Sequence, residues 1–343
     1  MGEFELIDRH FKRKPAIARI QTAPTATNSI ANPVVLGIGD DCALLQPAPG
    51  TQLAVSTDML VQGRHFFADV DPAALGHKAL AVNLSDLAAC GAEPLACTLA
   101  LALPPERARD DAWLAALAGG LWALADAQRC PLVGGDTTAG PLNLCLTVFG
   151  QVPAGQALRR DGARVGDDVW VSGTLGDARL ALEVFRGRLA LPAEAFEHTR
   201  RAMECPQPRV ALGRALRGLA RSAIDLSDGL LGDLGHILRR SGVSARLERD
   251  RLPTSAWLAA QPEALQRQCL LAGGDDYELL FTAPAGRGDE VARAAREAGV
   301  PVTRIGRIVV TPGLACHGPD GAPLAVPHGY EHFKPGPASP RRE

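Results

Sequence analysis

Five short segments of the 343-residue chain set aspartate beside glycine or hydroxyl residues. They are Gly37-Ile38-Gly39-Asp40-Asp41, Ser56-Thr57-Asp58, Asn83-Leu84-Ser85-Asp86, Gly134-Gly135-Asp136-Thr137-Thr138 and Asp225-Leu226-Ser227-Asp228-Gly229. Each puts a carboxylate at the end of an apolar strand-like run or inside an apolar helix. Asp86 is the sharpest case, because Leu80, Leu84, Leu87 and Ala88 surround it with core-type residues. A carboxylate in that company needs a cation or several hydrogen-bond donors. Taken singly, such segments are ordinary turns or caps, since Asp and Gly are the standard turn formers. Five in one chain point to a shared metal site, and oxygen-rich donor sets suit Mg²⁺ held together with phosphates.

Several phosphate-handling classes are excluded. A P-loop needs Gly-Lys before its hydroxyl residue, and no Gly-Lys pair occurs. The dinucleotide fingerprint that opens at Gly37 and Gly39 would need its third glycine at Cys42. The protein-kinase triplets H-R-D and D-F-G are both missing. An aspartate-nucleophile phosphatase wants D-x-D after a strand, whereas Asp225 and Asp228 are three apart.

The elements that must carry these residues are legible in outline. A short helical stretch covers Glu3–Phe11, and the Pro-, Thr- and Ala-rich segment Lys14–Pro33 reads as a surface loop. Strand-like runs follow at 34–38, 53–57, 95–103, 132–133 and 142–152. Between them, Asp71 N-caps a helix over Pro72–Cys90 that Gly91 ends, and a second helix spans Glu106–Gln128. After Pro153 the order resets. Strands are expected at 168–171, 223–226, 244–248, 279–282 and 303–309, with helices at 178–186, 209–220, 230–240 and 288–298. The reading is α/β, with two units: residues 1–153, residues 154–333, and a disordered tail over 334–343.

Composition narrows the partners. Lys+Arg is 36 against Asp+Glu 38, so no basic field calls for nucleic acid or an anionic membrane. Only four of the basic residues are lysines (Lys12, Lys14, Lys78 and Lys334), which leaves little room for Schiff-base chemistry. Met1–His10 lacks an apolar core, so no signal peptide is expected. The longest uncharged apolar run, Ala112–Ala125, is shorter than the ~20 residues of a membrane span. Eight cysteines without a C-x-x-C pair read as free thiols of a reducing cytoplasm.

The motifs resemble the thiamine-monophosphate kinase family, of the superfamily that includes aminoimidazole ribonucleotide synthetase and selenophosphate synthetase. The carrying segments are Gly37–Leu45, Ser56–Phe66, Lys78–Gly91, Gly134–Thr138, Ile224–Leu230, Gly273–Leu280 and Gly329–Phe333, in the family's order. The G-G-D-T-T and D-x-S-D-G segments are common to the superfamily. The S-T-D…H-F, G-G-x-D-Y-E-L and terminal G-Y-x-H-F segments are more specific. The resemblance implies a two-domain aminoimidazole ribonucleotide synthetase-like fold, with an N-terminal mixed sheet that forms a barrel in a homodimer and a C-terminal α/β domain. It implies ATP-dependent phosphorylation of thiamine phosphate with several Mg²⁺ ions.

By that resemblance Asp41, Ser56, Thr57, Asp58, Asp86, Asp136, Asp225 and Asp228 are expected metal ligands. Gly135, Arg160 and Ser227 are expected ATP contacts, Gly135 through its main chain. His65, Asp275 and Tyr330 are expected to contact thiamine phosphate. Two departures stand out: Asp275 replaces the family's usual Glu, and Lys14–Pro33 is longer than usual. From the residues alone, His65 is either a solvated or core-capping histidine or a ligand contact. Arg160 is either part of a surface charge run or a bidentate phosphate binder. Tyr330 is either an edge-packing residue or a face for a cationic ring. His77, Lys78 and Asn83 are read as structural.

No nucleophile–base pair is evident, and none is required. An acceptor phosphate with a second pKa near ~6 is already largely anionic at pH 7. Positioning and charge neutralisation then carry the reaction. Two rivals remain at this level. One is a superfamily member that activates a carbonyl or selenide, whose selenide branch would want a reactive cysteine near the N-terminus. The other is an inactive nucleotide-binding regulator, which loss of several aspartates would have marked.

Overall fold

The computed structural model describes residues 3–12, 32–311, 313–318, 322 and 324. The first half holds α1 (Glu3–Leu6), β1 (Val34–Leu36), β2 (Leu44–Leu45), β3 (Thr51–Val61), α2 (Pro72–Ala89), β4 (Glu93–Leu103), α3 (Asp111–Gln128), β5 (Leu132–Ala139) and β6 (Asn143–Pro153). The second holds β7 (Asp167–Ser172), α4 (Asp177–Phe185), α5 (Ala193–Glu204), α6 (Val210–Ala215), β8 (Ser222–Asp225), α7 (Leu230–Ser241) and β9 (Ser244–Glu248). It continues with α8 (Ala256–Ala259), α9 (Glu263–Ala272), β10 (Leu279–Pro284), α10 (Gly288–Glu297), β11 (Val302–Val309) and β12 (Leu314–His317).

Two mixed sheets result, as expected for the α/β class. The first has the order β3-β6-β4-β5, antiparallel except for the β4–β5 pair. The second has the order β12-β9-β11-β7-β10-β8, with only β12 and β9 parallel. Alternation makes the first sheet two-faced. Leu144, Leu146 and Val148 of β6 are buried beneath helices, while Leu53, Val55 and Met59 of β3 stand exposed on the other face.

α2 is the central helix. Asp71 Oδ1 accepts from the Ala74 N–H at 2.9 Å and Pro72 opens the first turn, both standard starting devices. Gly91, at φ 65°, follows its end. Most of its surface is buried, because it packs against α3, α6 and β8. Glycine permits the closest approach: a Cβ at Gly76 would lie 2.0 Å from Leu117 O, and one at Gly120 would lie 1.9 Å from Ala73 O. The buried cluster around α2 reaches Leu212, Leu279 and Phe281, so the helix joins both sheets.

The sequence-derived elements need adjustment at several points. β3 and β5 are longer than their apolar runs, because pairing with β6 and β4 draws Asp58–Val61 and Gly134–Ala139 into regular strand. Asp58 and Asp136 therefore lie within strands and not at strand ends. α3 starts at Asp111, where Asp110 accepts from the Trp113 N–H, and Arg107–Arg109 form a separate 3₁₀ turn. The helix expected over 209–220 ends at Ala215. β2, α5, α8, α9 and β12 have no counterpart among the expected elements. Lys14–Pro33, all but its last two residues, lies outside the described residues, as do Tyr330 and 334–343.

Candidate active site

The site is assembled where β3 crosses α2. Along β3, Ser56 and Asp58 share the face with buried Leu60, and Thr57 lies on the opposite, open face. There its hydroxyl pairs with that of Thr147 at 2.8 Å. The Asp58 N–H donates to Asn83 Oδ1 at 3.0 Å, and the buried Asn83 amide donates to Ala79 O at 2.9 Å. The Ser56 hydroxyl donates to Asp86 Oδ2, tying the strand to the helix a second time. Asp225 is the last residue of β8, paired with Leu279 of β10, and its side chain is buried.

These carboxylates feel one another. Burial, then repulsion from Asp86, pushes Asp58 up to about 6. Burial raises Asp86, opposed by the Ser56 hydroxyl and the Arg160 guanidinium. Asp225 reaches about 8, first through burial and then through Asp86, with Asp233 and Asp58 adding to it. Three acids thus share a field with too little positive charge, which is the electrostatic demand of a divalent cation.

The loop after β8 carries the remaining phosphate-side residues. The Asp233 carboxylate accepts from the N–H groups of Asp228 at 3.1 Å and Gly229 at 3.0 Å, fixing the D-x-S-D-G turn at the start of α7. Burial and the Asp228 charge push Asp233 up to about 7. Arg160 is exposed on the segment between the two sheets, yet its charge reaches both Asp86 and Asp233. Gly135 has φ 152°, and a Cβ there would lie 1.9 Å from Leu99 O, so only main chain fits at this point of β5.

A cavity of about 210 Å³ lies beside this cluster, lined by His65, Phe66, Phe67, Lys78, Met203 and Asp275 among others. His65 Nδ1 accepts from the Val61 N–H at 3.0 Å, so the neutral ring carries its proton on Nε2. Phe67 stacks on Phe185 at 4.6 Å between centroids. Lys78 Nζ donates to Asp275 Oδ2 at 3.1 Å, and the Tyr277 hydroxyl donates to Asp275 Oδ1 at 3.2 Å. The Asp275 N–H donates to Ser227 O at 2.9 Å, which fastens the cavity wall to the phosphate-side loop.

Not every expected residue converges. Ser56, Asp58, Asp86, Asp225 and Arg160 meet in one electrostatic neighbourhood, with Ser227 and Asp228 on the adjoining turn. Asp41 is exposed in a bend, with its N–H on Asp40 Oδ1. Asp136 lies on the far side of the first sheet. Asp58 is in register with Leu146, Leu146 with Leu99, and Leu99 with Gly135, so β3 and β5 stand three inter-strand spacings apart, about 14 Å. Asp136 is also exposed beside Ala100, on the open face. Among the described residues no three Asp, Glu, His or Cys side chains are gathered closely enough to hold an ion alone. That donor set fits Mg²⁺, which takes one or two carboxylates and completes its shell with water and substrate phosphates.

Sequence reading missed Lys78, Asn83, Asp233 and Tyr277. Lys78 had one usable signal, a lone cation two turns before Asp86 on an otherwise apolar helix. Asn83 acts through the backbone N–H of Asp58, 25 positions away, which only the fold reveals, whereas Asp233 caps the N–H groups of Asp228 and Gly229 locally at the start of α7.

Comparison with known proteins agrees with this geometry. Residues 39–152 match the AIR synthase related protein N-terminal domain, and residues 164–318 match its C-terminal domain. Fold and site thus define an AIR synthase related protein. Thiamine-monophosphate kinase of Salmonella typhimurium is 44% identical over 336 residues, 97% of this chain and 98% of that protein. The crystal structure of thiamine-monophosphate kinase from Stenotrophomonas maltophilia is 48% identical with TM-score 0.79, over 85% of this chain and 92% of that one. The structure of AaThiL complexed with AMPPCP and TMP is 29% identical with TM-score 0.73, over 84% and 89%. The chain belongs to the thiamine-monophosphate kinase family.

Proposed function

We propose that this chain transfers the γ-phosphoryl group of ATP to thiamine phosphate, giving thiamine diphosphate and ADP. An acceptor phosphate oxygen forms the new P–O bond while the γ-phosphorus leaves its bridging oxygen on ADP. The observation that carries the reading is the under-neutralised group Asp58, Asp86 and Asp225 beside a cavity walled by His65 and Asp275. Relatives of that activity, similar over nearly the whole chain, support it.

Asp41, Ser56, Thr57, Asp58, Asp86, Asp136, Asp225 and Asp228 are assigned to several Mg²⁺ ions. Bound Mg²⁺ supplies charge neutralisation between two anionic phosphates. The chain does the rest by placement. Asn83 and Ser56 fix Asp58 and Asp86, Asp233 fixes the turn of Ser227 and Asp228, and Arg160 brings a guanidinium for phosphate. Gly135 lets the nucleotide approach main chain. His65, Asp275 and Tyr330 hold the acceptor. No group has to remove a proton, because the acceptor oxygen is already anionic.

A homodimer completes the site. Leu53, Val55 and Met59 are 51–55% exposed on the open sheet face, a surface suited to a second copy. A two-fold barrel would set β5 of one copy beside β3 of the other, bringing Asp136 toward the Thr57–Asp58 stretch across the interface. Residues 1–153 then carry most metal ligands and the dimer face, and residues 154–333 the α/β domain. Eight free thiols suit the reducing cytoplasm, where we place the enzyme. Purified protein with MgATP should release ADP with thiamine phosphate and not with thiamine. Equal release with both would overturn the reading.

A further inference from the structure

Three cationic side chains line the cavity, the exposed Arg64 and Arg186 and the buried Lys78, and phosphoryl transfer gives the buried one no task. Lys78 is 3% exposed on α2, and its ammonium donates to Asp275 Oδ2 at 3.1 Å and to His65 O at 3.4 Å. An ammonium ion buried on an apolar helix is costly, and an uncharged side chain of like volume would fill the place at less cost. Packing alone does not account for a lysine here.

Its partner is held with unusual care. Asp275 has φ 70° and Tyr277 φ 49°, a left-handed conformation that L residues seldom adopt. Such backbone persists where its surroundings over-determine it. Asp276, between them, accepts from the Gly176 N–H at 2.9 and 3.1 Å, and the Tyr277 N–H donates to Leu226 O at 2.8 Å. The Asp275 carboxylate is then gripped at both oxygens, by Lys78 and by the Tyr277 hydroxyl, while its side chain stays 38% exposed toward the cavity.

We infer that Lys78 is a positioning residue for the acceptor: it aims the Asp275 carboxylate into the cavity and clasps the His65 carbonyl, so that two segments distant in sequence form one wall. The inference rests on the phosphoryl-transfer reading above. Thiamine phosphate carries a permanently charged thiazolium ring, and an aimed carboxylate is its natural counterpart. Among the described residues the Lys78 ammonium bonds to Asp275 and His65 and to none of the expected nucleotide contacts, so the effect is selective for one substrate.

Steady-state kinetics of Lys78→Met, Lys78→Arg, Asp275→Asn and the Lys78→Met/Asp275→Asn pair test this. Lys78→Met should raise the KM for thiamine phosphate about tenfold or more and leave that for ATP within about threefold, the pattern of lost binding to one substrate. Lys78→Arg, which keeps the charge on a differently shaped head, should fall between. In the Asp275→Asn background Lys78→Met should add less than about threefold, because the two act as one unit. Equilibrium dialysis of thiamine phosphate alone should show the same loss. Unchanged KM for thiamine phosphate, equal rises for both substrates, or full additivity in the pair would overturn the inference. If Lys78→Met does not fold, Lys78→Arg decides: an acceptor-selective rise supports the role, and anything else refutes it. Wild-type protein inactive on thiamine phosphate would defeat the functional reading instead, so the two failures are distinct.

Discussion

The main-chain N–H of Asp58 donates to the side-chain oxygen of Asn83 at 3.0 Å, and through it β3 is locked in register against α2. The bond uses the main-chain donor and none of the acceptor capacity of the Asp58 carboxylate. It fixes the backbone and leaves both carboxylate oxygens for other partners, while the Ser56–Asp86 bond two residues earlier sets the facing acid. A strand and a helix thus present two carboxylates whose spacing neither element could set alone.

Removing the Asp58 or Asp136 charge is expected to cost about 10²-fold or more in turnover, since loss of mere outer-shell partners of metals costs 10–100-fold. Asp58→Asn is the milder choice, as it keeps volume and the Asn83 bond. Near-normal turnover of Asp58→Asn at ordinary Mg²⁺ would remove Asp58 from the metal set.

Metal-free protein should lose stability as pH rises. Asp58 and Asp225 titrate at about 6 and about 8, against an ordinary 3.8, chiefly because burial disfavours their charge. A carboxyl raised in the folded state stabilises fully below its unfolded pKa, and that contribution is lost as pH climbs through the folded value. In EDTA, Asp225→Asn should therefore gain in Tm relative to wild type from about pH 4 to about pH 8, and MgATP should narrow the gap. Calorimetry showing a pH-independent difference would contradict this.

The acceptor wall should be separable from the nucleotide site. Asp275→Asn and Tyr330→Ala are each expected to raise the KM for thiamine phosphate while that for ATP stays within about threefold. Parallel loss of both substrates would reassign these residues to the fold at large.

Much of this site was legible because its residues are chemically loud. Asp86 and Asp225 interrupt apolar runs, Gly135 adjoins an aspartate, and Asp71 and Gly91 punctuate α2 as capping chemistry demands. What escaped depends on contacts between segments far apart in the chain. The strand character of Asp58–Val61 comes from β6, which pairs with β3 residue by residue from Thr51 to Val61, and the apolar run that ends at Thr57 does not announce it. α5 and α9 begin after Pro192 and Pro262 with no side-chain cap, so their starts carried no cap signal. Lys78 was read as structural because its partner lies 197 positions away. The split of Asp58 and Asp136 between opposite edges of one sheet follows from strand order, which motif spacing does not encode.

That split gives a test of the dimeric site. Asp58→Asn and Asp136→Asn homodimers should both be inactive. Unfolded together and refolded as mixed dimers, they should regain about a quarter of wild-type activity, because half the dimers are hybrid and each hybrid holds one intact site. Absence of any recovery, with hybrids shown by mass spectrometry, would place both carboxylates in one subunit's site.

The most direct test follows the phosphoryl group itself. Protein incubated with γ-labelled ATP and Mg²⁺ should stay unlabelled, and on addition of thiamine phosphate the label should appear at the terminal phosphate of thiamine diphosphate in a single turnover. Stable label on an aspartate or on His65, chased to the acceptor at a competent rate, would contradict direct transfer, and label released only as inorganic phosphate would contradict the kinase activity.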